Sequence, residues 1–237
     1  MNNILIWGGK SKTRILLNVI SNPGLTVRSF LKSKKNKIIG IFDPYLNEPN
    51  FKTKYFFSNN KIGLDKIIKK SNSFIVGIGG EFGKERYLIS QELIKRNLKP
   101  LNIVSKQSII DKTSKLGKGI QIMPNAVVHC YSQIGDYCIL NTGSIIDHEC
   151  IIGNGVHIMG GAVITGRVKI GSYVTIGSNA TIFPNVTIEE GAFVGAGAVV
   201  KKNIKRNHVV VGNPSKYSKL QKQQSNLKIF NKNFKFI

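Results

Sequence analysis

One short stretch of the chain combines groups that could move a proton. Residues 144–153 read SIIDHECIIG, in which Asp147, His148 and Glu149 interrupt an otherwise apolar run. An imidazole, with an ordinary pKa of about 6.5, can accept a proton near neutral pH. A carboxylate beside such a ring favours its charged form and holds its orientation. The stretch therefore makes His148 a candidate general base, the alternative being a surface or interface histidine with no catalytic role.

This stretch belongs to a six-residue repeat. An aliphatic residue recurs at every sixth position from Leu116 to Val200, fifteen positions in all, and from residue 120 a small or apolar residue stands two places before each. A period of six fits neither an α-helix nor hairpins, and it indicates a parallel β-helix in which three hexapeptides form one coil. The aliphatic residues are expected to fill the interior. The glycines that often follow them are expected to permit the corner backbone.

The repeat also predicts where His148 points. His148 lies two positions after Ile146, at a turn between strands of the expected β-helix. Its side chain should project outward, toward a neighbouring subunit if the protein is a trimer, and not into the interior of the coil.

The first hundred residues alternate short apolar runs with helical patterns. Runs at 3–9, 37–44, 73–80 and 101–105 are expected as strands, and 12–21, 62–70 and 83–98 are expected as helices. This alternation predicts a small parallel α/β sheet, Rossmann-like in its topology. Ligands of such sheets bind at the carboxyl ends of the strands. The G-x-G-x-x-G fingerprint is absent, so no dinucleotide is expected there.

Composition narrows the remaining choices. The net charge is +23, but the basic residues are spread along the chain without a nucleic-acid-binding motif, so no nucleic-acid partner is expected. The longest apolar runs are far shorter than the roughly 18 residues of a membrane span, so membrane insertion is not expected. The expected location is the cytoplasm. The three cysteines have no metal-binding spacing and are expected to be small core residues.

Taken together, these features resemble one family. An α/β domain followed by hexapeptide repeats, with IIDHECIIGNGVHI in the middle and VGAGAVV and VVVGNPSK near the end, is similar to the bacterial sugar acetyltransferases that include UDP-4-amino-sugar N-acetyltransferases and sialic acid O-acetyltransferases. The resemblance implies a left-handed parallel β-helix and a homotrimer with active sites between neighbouring β-helices. It divides the chain into a nucleotide-sugar-binding domain (1–105), an acetyltransferase β-helix (106–217) and a basic tail (218–237).

The resemblance also assigns roles to individual residues. It places the catalytic base at His148 and the carboxylate that supports it at Glu149. The positions that it implies for acetyl-CoA are His157 and the backbone at Gly166, near the thioester, and Ser178, Ala196 and Gly197, along the CoA channel.

The resemblance also covers the family's nucleotide-sugar loops, of which the first carries different residue types here, whereas Asp43 and Gly79 match the second and third. The first loop, which is glycine-rich in the family, reads GGKSKT in this chain. The matching positions are Lys10, Ser11, Lys12, Asp43 and Gly79. The two lysines are suitable partners for phosphate.

The expected function is acetyl-CoA-dependent N-acetylation of a nucleotide-linked amino sugar in surface-glycan biosynthesis, with acetyl-CoA as the co-substrate and no metal. Three alternatives stay open: O-acetylation of the sialic acid type, a non-catalytic scaffold, and a zinc lyase similar to the γ-type carbonic anhydrases. The last would need His129, His148 and His157, whose separations of 19 and 9 residues do not fit that family's pattern.

Overall fold

A computed structural model describes residues 1–21 and 36–221 of the chain. The first part is a parallel sheet with the strand order β3-β2-β1-β4-β5. Its strands are β1 (Asn2–Trp7), β2 (Asn36–Phe42), β3 (Phe57–Ser58), β4 (Ser73–Val76) and β5 (Lys99–Pro100). Three helices accompany it: α1 (Ser11–Ser21), α2 (Lys61–Lys70) and α3 (Gly83–Lys95). The predicted α/β sheet is confirmed.

Side chains alternate along β1, so they point to both faces of the sheet, and both faces are buried. Leu5 and Trp7 pack with residues of α2 and α3, whereas Ile4 and Ile6 pack with residues of α1 and with Ile103. This explains why the strand reads as a continuous apolar run, as parallel strands covered on both sides do.

The second part is a parallel β-helix whose two-residue strands stack into three flat faces. The first face contains β6 (Ile103–Val104), β9 (Gln121–Ile122), β12 (Ile139–Leu140), β15 (His157–Ile158), β18 (Thr175–Ile176) and β21 (Phe193–Val194). The second face contains β7 (Ile109–Ile110), β10 (Val127–Val128), β13 (Ile145–Ile146), β16 (Val163–Ile164), β19 (Thr181–Ile182) and β22 (Val199–Val200). The third face contains β8 (Lys115–Leu116), β11 (Gln133–Ile134), β14 (Ile151–Ile152), β17 (Lys169–Ile170) and β20 (Thr187–Ile188).

The chain leaves the coil through a hairpin. Strand β23 (His208–Val211) continues the first face, and β24 (Lys216–Leu220) pairs with it antiparallel. The predicted tail, 218–237, lies outside the described residues except for its first four. No helix within the described residues is both long and apolar enough to span a bilayer.

The predicted interior of the coil is confirmed. From Ile122 to Val200, every aliphatic residue of the six-residue series is at most 3% exposed. Strands pair in register with residues eighteen positions away, as Leu140 does with Ile158. The same pairing corrects one expectation, because Ile103 and Val104 pair with β9 of the coil and not with the N-terminal sheet. Val104 stands twelve residues before Leu116 and so continues the series, which the apolar run at 101–105 alone did not reveal.

Glycine is required after the aliphatic residues for a reason other than the expected one. Left-handed φ angles occur two residues later, at every sixth position from Gly119 to Gly197, where Gly, Asn, Tyr, Glu or Arg stands. Gly153 has no such angle, but a Cβ added there would lie 2.6 Å from the backbone nitrogen of Ser172 in the next coil. These glycines are therefore required by the close approach of stacked corners, and not by the corner dihedral.

The two domains meet where α3 docks against the corner between the third and first faces. Tyr137, Gly155 and Tyr173 stand one above another at this corner, and Gly83 at the start of α3 contacts the carbonyl of Gly155. The ring of Tyr87 packs edge-on against those of Tyr137 and Tyr173, with centroid distances of 5.6 and 5.8 Å. The glycine in the middle of this column leaves the space into which the helix fits.

We predict that the two kinds of glycine differ in mutational cost. Gly153→Ala should lower the free energy of unfolding by about 3 kcal/mol, because its methyl group overlaps backbone that cannot move freely. The matched control is Gly143→Asn, at a left-handed corner with φ of 67° and no atom within 4 Å of an added Cβ. Since asparagine tolerates that conformation, its cost should stay below about 1 kcal/mol. Denaturant titration measures both, and equal costs would contradict the spacing role.

Candidate active site

The histidine and the glutamate of the DHE stretch form a pair at the corner between the second and third faces. His148 Nδ1 lies 2.9 Å from Glu149 Oε2, and the backbone N–H of His148 donates to Asp147 Oδ1 at 2.7 Å. The side chains of His148 and Glu149 are 39% and 51% exposed, so the pair faces outward as predicted. With Nδ1 donating to the carboxylate, the lone pair of a neutral ring is at Nε2, where it can accept a proton.

Gly166 lies one coil above this ring. A Cβ at Gly166 would lie 2.5 Å from His148 Nε2, so only glycine leaves room for the imidazole in this position. The N–H of Gly166 donates to no group among the described residues. A hydrogen-bond donor and a proton acceptor therefore stand side by side at this corner.

A cavity of about 380 Å³ opens at the carboxyl ends of β1, β2 and β4. Its lining includes all the positions that the family resemblance assigned to the nucleotide sugar: Lys10, Ser11, Lys12, Asp43 and Gly79. The structure thus brings together residues that are 69 positions apart in sequence, as ligand-binding edges of parallel sheets do.

The cavity is lined by two basic residues, Lys10 and Lys12, and by two acidic residues, Asp43 and Glu85. Lys12 is partly buried, and burial together with the nearby charge of Arg86 lowers its pKa to about 8. Lys10 is exposed at the N-terminal end of α1, where the helix dipole adds to its positive charge. The carboxylate of Asp43 accepts the N–H groups of Gly9 and Tyr45, at 2.8 and 3.0 Å, and so holds together the two loops that carry them.

His157 lies on the first face, buried beneath the N-terminal domain. Its Nδ1 donates to the carbonyl of Gly80 at 2.9 Å. Burial, and then the charges of Arg86 and Lys12, lower its pKa to about 3, so the ring is neutral near pH 7. Its Nε2 is buried and has no hydrogen-bond partner within the described residues.

Three of the other positions assigned to acetyl-CoA lie at a different corner of the coil. Ser178, Ala196 and Gly197 occupy the corner between the first and second faces, whereas Gly166 shares the His148 corner. His148 and His157 are nine residues apart (157 − 148), half of the eighteen-residue coil. The corner that carries His148 is therefore opposite the face that carries His157, and one chain alone does not join them.

Sequence reasoning missed Arg86, which is 1% exposed and joins the two domains. Its guanidinium donates to the carbonyls of Tyr137, Ile78 and Gly155 at 2.7, 3.0 and 2.8 Å. A signal was present in the helical pattern, because Arg86 shares the buried face of α3 with Ile89 and Leu93. Within residues 1–21 and 36–221, no group of three or more His, Cys, Asp or Glu side chains could hold a metal ion.

Comparisons with known proteins agree with this architecture. Residues 149–184 match the model of the bacterial transferase hexapeptide family (six repeats). A search of curated protein sequences finds no match. Solved structures, by contrast, match across almost the whole fold.

Three solved structures illustrate the likeness. A mutant of perosamine N-acetyltransferase from Caulobacter crescentus, in complex with CoA and GDP-perosamine, superposes with a TM-score of 0.79 at 21% identity, covering 92% of this chain and 98% of that one. The acetyltransferase domain of PglB from Neisseria gonorrhoeae FA1090, in complex with acetyl coenzyme A, gives 0.77 at 21% identity, with 92% and 99% covered. WeeI from Acinetobacter baumannii AYE gives 0.73 at 25% identity, with 91% and 99% covered. The predicted resemblance to hexapeptide-repeat sugar acetyltransferases is confirmed in the fold.

The depressed pKa of His157 predicts a pH-dependent stability. Between about pH 3 and pH 6.5, the unfolded chain binds a proton at this ring and the folded chain does not, so stability falls on acidification by up to about 1.4 kcal/mol per pH unit. His157→Asn keeps an N–H for Gly80 but does not titrate. The difference in unfolding free energy between wild type and variant, measured from pH 7 to pH 4.5, should therefore change steadily with pH. A constant difference would contradict a buried neutral ring.

Proposed function

We propose that the protein is an acetyl-CoA-dependent N-acetyltransferase that acts on the amino group of a nucleotide-linked amino sugar. The observation that carries this proposal is the orientation of His148, whose Nδ1 contacts Glu149 and whose Nε2 lies against Gly166, 2.5 Å from where a Cβ would stand. The likeness to structures that contain CoA and GDP-perosamine supports the choice of substrates.

In the proposed reaction the sugar amine attacks the thioester carbonyl directly. A C–N bond forms, and the carbonyl oxygen becomes an oxyanion to which the N–H of Gly166 can donate. His148 Nε2 takes the proton that the amine loses, while Glu149 stabilises the resulting imidazolium. The C–S bond then breaks, the imidazolium returns its proton to the departing thiolate, and the products are an amide and CoA.

The cavity of the N-terminal domain is proposed to hold the nucleotide sugar. Its two lysines suit a diphosphate, and the low effective dielectric around the partly buried Lys12 strengthens that attraction. The residues proposed to contact the substrate are Lys10, Ser11, Lys12, Asp43 and Gly79. Asp43 acts chiefly by holding the loops that carry the others, since both of its oxygens accept backbone N–H groups.

A homotrimer is proposed because the site is incomplete in one chain. The second face presents an apolar stripe to the outside, with Ile109 and Ile145 65% and 39% exposed, and it lies between the His148 corner and the corner of Ser178 and Ala196. Packing of copies through this stripe would bring the base of one chain toward the CoA-binding corner and the sugar pocket of a neighbour. The reaction would serve surface-glycan biosynthesis in the cytoplasm.

Replacement of the proposed base provides the test. His148→Ala should lower kcat by roughly 10² to 10⁴, the usual contribution of a positioned base. The control is His208→Ala, which removes a ring that packs against Tyr217 in the terminal hairpin, with ring centroids 4.7 Å apart. The assay follows thiol release from acetyl-CoA with a panel of UDP- and GDP-amino sugars.

Two outcomes would contradict the proposal. Absence of turnover with every amino sugar would reject it. A product that loses its acetyl group in hydroxylamine would be an ester and would point instead to a sugar hydroxyl as the acceptor.

A further inference from the structure

The chain that follows β4 rests on the β-helix through a row of hydrogen bonds. Alternate carbonyls of this segment each accept from a buried side chain. The contacts are Gln121 Nε2 to Val76 O at 2.7 Å, Arg86 Nη1 to Ile78 O at 3.0 Å and His157 Nδ1 to Gly80 O at 2.9 Å.

The donors are themselves firmly held. Gln121 and His157 are on the first face, two coils apart in one column, and are 1% and 5% exposed. Arg86 is fixed to the coil corner by the carbonyls of Tyr137 and Gly155. The β-helix therefore positions residues 76–80, directly through Gln121 and His157 and indirectly through Arg86 of α3.

The same segment forms one wall of the N-terminal cavity. Gly77, Ile78, Gly79 and Gly80 all line it. Three of these four residues are glycines, so the segment has little stiffness of its own. Its shape must be imposed from outside, and the three donors do so together with the Gly77 N–H, which donates to Trp7 O at 2.7 Å.

The hydrogen bonding of His157 limits what else the ring can do. Gly80 O can only accept, so the proton of a neutral ring is on Nδ1 and the lone pair is on Nε2. Donation from Nε2 to a developing oxyanion would require a second proton, which burial and the charge of Arg86 oppose. The Nε2 atom is itself buried and makes no hydrogen bond among the described residues.

We propose that His157 is a positioning residue for the sugar-nucleotide cavity of its own chain, acting through Nδ1 on Gly80, and that it is not a contact of the thioester. The proposal rests on the proposed function only where it names the ligand of the cavity. It predicts that changes at His157 alter the cavity wall and the binding of a nucleoside diphosphate, and leave acetyl-CoA binding unchanged.

Two amide variants distinguish the role of Nδ1 from the role of Nε2. Asparagine places its N–H close to the position of Nδ1, whereas glutamine reaches the position of Nε2. His157→Asn should keep the wild-type hydrogen exchange of the 77–82 segment, and His157→Gln should raise it roughly tenfold, because a buried hydrogen bond is lost. By calorimetry, the Gln variant should bind UDP or GDP roughly tenfold more weakly, with acetyl-CoA affinity within about twofold of wild type.

The control is Thr175→Val, one coil above His157 in the same column and also buried, which should leave exchange and binding at their wild-type values. The opposite pattern would overturn the proposal: an Asn variant that loses acetyl-CoA affinity while the Gln variant retains it, or unchanged exchange in both. Exchange is measured without ligand, so it decides the role of His157 even if no amino sugar is turned over. Nitrogen NMR can also determine the tautomer of His157 in the wild-type protein, without any variant. A proton on Nε2 would equally overturn the proposal.

Discussion

The pairing of each residue with the one eighteen positions away constrains everything else in this protein. Because three strands and three corners make one coil, a residue's place in the repeat fixes the face or corner on which it stands. His148 and Gly166 share a corner since they are one coil apart. His148 and His157 are on opposite sides since they are half a coil apart. A mechanism that uses both the DHE pair and the N-terminal cavity must therefore join two chains.

The first face links the coil to the cavity. Its outward-facing residues are buried under the N-terminal domain, and Gln121 and His157 use that burial to hold a glycine-rich wall in place. Arg86 completes the contact, with its charge surrounded by three backbone carbonyls. Among the described residues Arg86 has no salt bridge, so the cost of burying its charge is offset by the hydrogen bond that each of its three nitrogens makes. Burial, and then the charge of Arg86, lower the pKa values of His157 and Lys12, so this guanidinium adds to the effect of desolvation beneath the cavity.

The periodic features were predictable from sequence, and the pairwise contacts were not. A six-residue series of aliphatic residues specifies the coil interior, and the same register predicts that His148 projects outward from a corner. The carboxyl ends of β1, β2 and β4 predict that Lys12, Asp43 and Gly79 meet. The glycines at 117, 135 and 153 have the spacing of corner residues, but their cause is contact with the next coil, which no local pattern reveals. Likewise, the burial of His157 depends on how the N-terminal domain docks, and that docking depends on Gly83 and Gly155 fitting together.

The measurement that tests the shared site most directly is complementation between two inactive variants. His148→Ala and a cavity variant, Lys12→Glu, would be co-expressed with different tags, and particles carrying both tags would be purified. If the base of one chain serves the cavity of its neighbour, every mixed trimer has one intact site in its closed ring, and the mixed particles should recover roughly a third of wild-type activity. If each chain carries a complete site, every site lacks either its base or its lysine. Mixed particles as inactive as their parents would contradict the account.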